Sequence, residues 1–192
     1  YNLNKIKVGH CGTLDPLATG LLIIATGSKT KSIKNFENLR KTYAGTLKVG
    51  CITDSFDSEK PEKKHCSFEH INFKKINNVF SDFIGAQSQM PPIFSAIKVE
   101  GERLYKKARR GEHINNLKSR SINIYELSVE NVQLPYIEFV VTCSKGTYIR
   151  SLAHDIGQKL GCGAYLSSLN RLEIGNYKLK DAHQIIDLPS FI

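Results

Sequence analysis

Between Thr42 and Val49 the chain alternates Tyr43, Gly45, Leu47 and Val49 with Thr42, Ala44, Thr46 and Lys48, a two-residue period that predicts a half-buried strand. Ser119 to Val129 and Ile137 to Cys143 predict two long strands, with the turn former Pro135 between them. The apolar run Leu21 to Thr26, closed by Gly27, predicts a buried strand, and Phe94 to Val99 another after the break at Met90-Pro91-Pro92. Elsewhere the spacing is helical. Ile33, Phe36 and Leu39 predict a short amphipathic helix within Thr30 to Leu39, and Ile76, Val79, Phe80 and Phe83 one within Phe73 to Phe83, with Gly85 as its stop. Gly146 and Thr147 open a third helix, whose Ile149, Leu152, Ala153, Ile156 and Leu160 share a buried side and which Gly161-Cys162-Gly163-Ala164 ends. Ala164 to Leu169 and Arg171 to Leu179 read as extended, and Asp181 begins a last short helix. Strands and helices mingle with no internal repeat or low-complexity tract, so one mixed α+β domain over residues 1–192 is the expected architecture.

Composition narrows the class. A hydrophobic content of 41% is ordinary for a globular protein with a real core. The 27 basic residues against 18 acidic ones leave a net charge of +9, which points to a polyanionic partner, nucleic acid ahead of membrane because no long amphipathic basic helix stands out. Eight cations between Lys98 and Arg120 (Lys98, Arg103, Lys106, Lys107, Arg109, Arg110, Lys118 and Arg120) face only Glu100, Glu102 and Glu112, which gathers +5 of that excess in one place beside Tyr105. The five cysteines are odd in number and show no spacing suited to zinc, so no metal is expected and reduced thiols in a cytoplasmic protein are the simplest account. No secretory signal or membrane-length apolar run is visible, and a monomer away from membranes is expected.

The chemistry concentrates in Gly9-His10-Cys11-Gly12-Thr13-Leu14-Asp15-Pro16-Leu17-Ala18-Thr19-Gly20, an acid, an imidazole and three glycines on a turn-rich stretch. Asp followed by Pro is also a common helix start, the carboxylate capping backbone N–H groups, and the residues alone leave that reading open. Tyr43 shares its strand face with apolar neighbours, as a core tyrosine would. Gly27-Ser28-Lys29-Thr30 lacks the glycines of a phosphate loop, and the carboxylates Asp54, Asp57, Glu59 and Glu62, read as a polar loop, lack the calcium-loop spacing. Arg150 has Gly146, Thr147, Ala153 and His154 at its helical neighbour positions, so its partner must be long-range or a ligand.

Gly9-His10-x-Gly12-Thr13-Leu14-Asp15-Pro16-x-Ala18-x-Gly20-x-Leu22 resembles the active-site motif of the TruB-type tRNA pseudouridine synthases. Six further blocks follow in that family's order: Lys41-Thr42-Tyr43, Thr53-Asp54-Ser55-x-Asp57, Pro92-x-x-Ser95-Ala96-x-Lys98, Gly101-x-Arg103-x-Tyr105-x-x-Ala108-Arg109, Cys143-Ser144-Lys145-Gly146-Thr147-Tyr148-Ile149-Arg150 and Gly161-x-Gly163-Ala164. The resemblance implies a central mixed, largely antiparallel sheet flanked by helices. It implies Asp15 as the catalytic carboxylate, Tyr43 packed on the uracil, and Arg150 paired with Asp15. His10, Tyr148 and Leu169 match positions that touch the flipped nucleotide. The basic stretch at about 90–120, with Lys98, Arg103 and Arg109 as binding residues, corresponds to an insertion that closes on the RNA. The implied substrate is uridine 55 in the T stem-loop of tRNA. The family's opening strand has no counterpart before Tyr1, so an N-terminally truncated chain is expected, and no C-terminal domain is recognised after Asp187.

Pseudouridine formation breaks N1–C1′, turns the base and joins C5 to C1′. No atom enters apart from exchanged protons, so no cofactor is expected. A carboxylate serves it as nucleophile at C1′ or C6, or as base for the 2′ proton. In a dry pocket such a carboxylate needs a cation close by, and Arg150 within about 4 Å of Asp15, in a cleft also lined by Tyr43 and Leu169, is the expected geometry. Two other classes meet part of the pattern. A glycoside hydrolase or nucleosidase would need a second carboxylate, and a non-catalytic RNA-binding module would need the basic run but not Asp15.

Overall fold

The computed structural model describes residues 6–95, 97–99, 101–112 and 117–187. In chain order they form strands β1 (Val8–His10), β2 (Ala18–Gly20) and β3 (Ile24–Thr26), helix α1 (Ile33–Glu37), β4 (Lys41–Val49), α2 (Phe73–Ser81), β5 (Gly85–Gln89), β6 (Lys98–Val99), β7 (Glu102–Arg103), α3 (Leu104–Arg109), β8 (Arg120–Gln133), β9 (Tyr136–Cys143), α4 (Ile149–Leu160), β10 (Ala164–Ile174) and β11 (Tyr177–Lys178). One seven-stranded sheet runs β11-β10-β4-β9-β8-β5, every pair antiparallel, and β2 adds to β10 in parallel. None of the described helices is long and apolar enough to cross a membrane.

Alternation drives this sheet. Leu47 and Val49 of β4, Ile137, Phe139 and Val141 of β9, and Ile122, Ile124 and Leu127 of β8 all turn to one face. Ile76, Val79 and Phe80 of α2 and Ile149, Leu152, Ala153, Ile156 and Leu160 of α4 cover them. Asn72 caps α2, its side chain accepting from the Lys75 N–H at 2.9 Å, and Gly161 ends α4 in the left-handed region at φ 84°. The short β1–β3 ribbon and the β6–β7 hairpin stand apart from the main sheet.

Several predicted elements differ from those observed. Leu21 to Thr26 is not a buried strand: only Ile24–Thr26 is extended, Leu21 and Ala25 are buried, and Leu22 and Ile24 are exposed. Among the described residues its strand partner is β1, in a two-stranded ribbon apart from the main sheet. The first helix spans only Ile33–Glu37 after a 3₁₀ turn, and its Phe36 meets Tyr177 edge-on at 5.8 Å. Phe94 to Val99 supplies only the two-residue β6, and the third helix starts at Ile149 rather than at Gly146. The two extended runs near the C-terminus form one strand to Ile174, then a turn and β11. Asp181 closes a 3₁₀ turn instead of opening a helix. In the polar stretch after β4, Thr53, Ser55 and Asp57 are each only 1% exposed, because Asp57 bridges Leu166 and the segment folds under the sheet edge.

Gly157 lets α4 sit directly on the turn into β10. A Cβ there would lie 2.1 Å from the Ala164 nitrogen and 2.5 Å from the Gly163 carbonyl carbon, atoms of backbone that cannot rotate away. Gly157→Ala gains about 1 kcal/mol of helix propensity but overpacks at a cost of about 1–3 kcal/mol. A lower urea midpoint is therefore expected, and an unchanged or higher one would contradict this packing.

Candidate active site

Asp15 lies between β1 and β2 in a turn that the Ala18 N–H closes onto the Asp15 carbonyl at 2.8 Å. No helix follows, so the carboxylate caps nothing. Instead it takes two hydrogen bonds from Arg150, Nε to Oδ2 at 2.8 Å and Nη2 to Oδ1 at 3.0 Å, the bidentate fork that aligns both planar groups. Arg150 sits one residue inside the start of α4 and is 5% exposed, whereas the Asp15 side chain keeps 35% of its surface open. The acid therefore faces the cleft, with the guanidinium behind it.

The remaining Arg150 donors reach two backbone segments. Nη1 donates to the Ser55 carbonyl at 3.2 Å, and both Nη1 and Nη2 donate to the Phe94 carbonyl at 3.1 Å. Asp57 completes the shell, with Oδ2 3.5 Å from Nη1, while its Oδ1 accepts from the Ser55 hydroxyl and from the Glu59 N–H. One buried cation thus lies between a solvent-facing carboxylate and an inward one. Sequence reasoning missed Asp57, whose block it matched but read only as part of a polar loop.

Arg171 was missed as well. It is 2% exposed on β10, and its Nε and Nη2 donate to the Leu21 and Gly12 carbonyls at 2.7 and 3.1 Å, pinning both ends of the Asp15 turn. The signal was available as a lone cation two residues beyond Leu169, on the same face of an apolar strand. Burial pushes the Tyr43 phenol above its ordinary pKa, Cys143 adds to this, and Arg171 opposes it. Lys41, almost fully buried, donates to the Glu37 and Leu39 carbonyls, and burial followed by Arg171 lowers its pKa.

These groups open into a cleft of about 880 Å³. Asp15, Tyr43, Tyr148, Arg150 and Arg171 line its floor and sides, and Arg103, Tyr105, Arg109, Arg120 and Lys145 add a cationic wall. Arg109 lies 5.5 Å from the Tyr105 ring centre and Arg120 5.9 Å from that of Tyr148. The basic run is the β6–β7 hairpin followed by α3, tied back by Leu104 N–H to Ile97 O at 2.8 Å and Tyr105 N–H to Ser95 O at 3.0 Å. Its Arg110 is turned to Glu102 and Glu112 rather than left open.

Not every expected residue joins this cleft. Leu169 is 6% exposed and packed in the core: it shares a face of β10 with Arg171 but stands two residues farther from the cleft, opposite Gly45 rather than Tyr43. His10 is exposed on the β1–β3 ribbon and is not among the lining residues. The side chain of Lys98 lies outside the described residues, although its backbone pairs with Arg103.

Comparison with known proteins places the chain among named relatives. The family model described as TruB family pseudouridylate synthase (N terminal domain) matches residues 1–149, and that of the tRNA pseudouridylate synthase B C-terminal domain matches residues 150–191. The two matches meet inside α4, yet β10 from the second pairs along β4 from the first, so both build one sheet. The tRNA pseudouridine synthase B of Flavobacterium johnsoniae is 48% identical over 187 residues, covering 97% of this chain and 80% of that protein. The protein of the same name from Chloroherpeton thalassium is 44% identical over 184 residues, with 96% and 76% covered. Among solved structures, a Cbf5-Nop10-Gar1 complex contains a chain with a TM-score of 0.74 and 28% identity, and an H/ACA RNP bound to a substrate RNA containing 2′-deoxyuridine one with 0.64 and 26%. They cover 98% and 92% of this chain but only 47% and 41% of theirs.

Breaking a buried ion pair from one side leaves an uncompensated charge, at about 3–5 kcal/mol. Asp57→Ala is therefore expected to lower stability toward urea by about 3 kcal/mol, and Asp15→Asn by clearly less, because the Asp15 site is open to water. A larger loss at Asp15 than at Asp57 would show that the inward carboxylate is not Arg150's structural partner.

Proposed function

The chain belongs to the TruB family of pseudouridylate synthases, RNA-modifying isomerases, and from that premise we propose that it converts uridine 55 in the T-loop of tRNA to pseudouridine with Asp15 as its catalytic carboxylate. The observation that carries this reading is the forked Asp15–Arg150 pair at the floor of a cation-walled cleft. A module that only bound RNA would gain from the wall but have no use for an aligned, half-open carboxylate.

The target uridine leaves its stack to reach Asp15, and the Tyr43 ring in the cleft compensates for the stacking it loses. Arg103, Arg109, Arg120 and Lys145 meet the phosphates on either side. Asp15 then adds to C1′ or C6, or takes the 2′ proton. In each route the N1–C1′ bond breaks, the freed base turns within the cleft, and C5 joins C1′; the bond from Asp15 to C1′ or C6 breaks in turn, or the 2′ proton goes back to C2′, so Asp15 ends as the free carboxylate. The C5 proton leaves to solvent and N1 regains one, so atoms balance with no redox partner. Arg150 holds the carboxylate plane fixed throughout, the kind of orientation on which the rate of such a step depends. Arg171 keeps the turn that carries Asp15 from shifting as the base rotates.

Tritium release from tRNA transcript labelled at uridine C5 tests the assignment. The wild-type chain is expected to release label, and Asp15→Asn to release none while binding the transcript within about tenfold of wild type, since phosphate contacts supply most of the affinity. Turnover retained by Asp15→Asn would remove the catalytic role of Asp15; binding without release by the wild type would leave an RNA-binding module.

A further inference from the structure

At the exit of β4, away from the cleft, the chain pairs with itself: Ile52 and Lys63 exchange N–H···O bonds of 2.9 and 2.7 Å, and the Cys66 N–H reaches the Gly50 carbonyl at 2.8 Å. This pairing gathers three side chains separated in sequence. A ligand atom from each of Cys51, Glu62 and His65 lies within 4.8 Å of the other two. Cys51 is 2% exposed, and His65 is exposed with no hydrogen-bond partner among the described residues. Glu62 is held from outside, its Oε1 accepting from Lys48 Nζ at 2.6 Å and from the Tyr165 hydroxyl at 2.7 Å.

We propose that Cys51, Glu62 and His65 form a binding site for a zinc-class divalent ion, one sulfur, one nitrogen and one carboxylate oxygen, with water as fourth ligand. The donor set suits zinc by softness and by number, since three protein ligands plus one open position is a recurrent zinc arrangement. Tetrahedral bond lengths set ligand separations of about 3.3–3.6 Å, so the three atoms need to close by only about 1 Å, and the exposed His65 ring supplies most of that movement. Lys48 and Tyr165 crowd onto Oε1, leaving Oε2 for the metal, and thereby act as the outer partners that ligating carboxylates generally have. On binding, the Cys51 S–H gives its proton to buffer as the S–metal bond forms, so thiolate and carboxylate together balance the two positive charges.

The site spans both ends of the loop that carries Asp57 to Arg150 and Glu59 to the cleft. A metal there closes that loop, as other metal clips do, and sits outside the catalytic machinery. Sequence spacing does not reveal it, because Cys51 and His65 meet only through the Ile52–Lys63 pairing.

Cobalt titration of the chelator-treated full chain, without RNA, tests the proposal independently of the assigned reaction. One equivalent of Co²⁺ is expected to raise a near-ultraviolet thiolate charge-transfer band with the visible bands of a tetrahedral site, and Zn²⁺ to abolish both. Cys51→Ser should remove the charge-transfer band. His65→Ala, an exposed position where folding is not at stake, should weaken binding by at least about tenfold, and Tyr165→Phe by about tenfold. Cys66→Ser should leave the titration unchanged. Absence of the thiolate band in the wild type, a band that survives Cys51→Ser, or an unchanged midpoint in His65→Ala would each overturn the site.

Discussion

Arg150 is the constraint on which the active region depends. A guanidinium buried to 5% exposure is tolerable only if paired and hydrogen-bonded, because the effective cost of desolvating such an ion is several kcal/mol. Here that requirement draws four distant segments to one point: the Asp15 turn, the Ser55–Asp57 loop, the backbone at Phe94 and the start of α4. Satisfying the cation also shapes the site. Two of its faces are closed by carbonyls and by Asp57, so the fork left for Asp15 is fixed in plane and direction.

Arg171, on β10, repeats the device from the sheet. Its guanidinium has carbonyls for partners, Leu21 and Gly12, so it acts as a clamp on backbone rather than as a counter-ion. Gly20 shows how close this approach is: at φ 103° its Cβ would stand 2.4 Å from the Arg171 carbonyl oxygen, where β2 runs along β10. Between the two arginines the Asp15 turn is held from the sheet side and from the helix side. The cationic wall over the cleft comes instead from a small hairpin and helix anchored through Leu104.

Much of the fold was legible because its sheet obeys simple alternation. Leu47 and Val49, Ile137 to Val141, and the face of α4 all lie where two-residue and helical periods put them. The Arg150–Asp15 contact was legible through the family resemblance, which pairs the two; the residues alone gave Arg150 only a long-range partner or a ligand and left Asp15 open as a helix cap. Peripheral pieces were not. Leu22 and Ile24 are apolar but exposed, because a ribbon with one neighbour cannot bury both faces. Asp57 reads only as part of a polar loop, because a carboxylate between Phe and Ser carries no mark of burial until the cation it serves is in place. Leu169 was expected in the cleft, yet it lies in the core; Arg171 shares its strand face two residues farther along and is the one that lines the cleft.

The central claim, that Arg150 acts through the fixed geometry of its fork rather than through charge alone, is tested most directly by Arg150→Lys in single-turnover pseudouridine formation on tRNA. Lysine keeps the charge but lacks the planar two-point grip. The account predicts a chemical step slowed by at least about 100-fold, the loss expected from a misplacement of about 1 Å, with tRNA affinity and the folded spectrum retained. A lysine variant that turns over at the wild-type rate would contradict it.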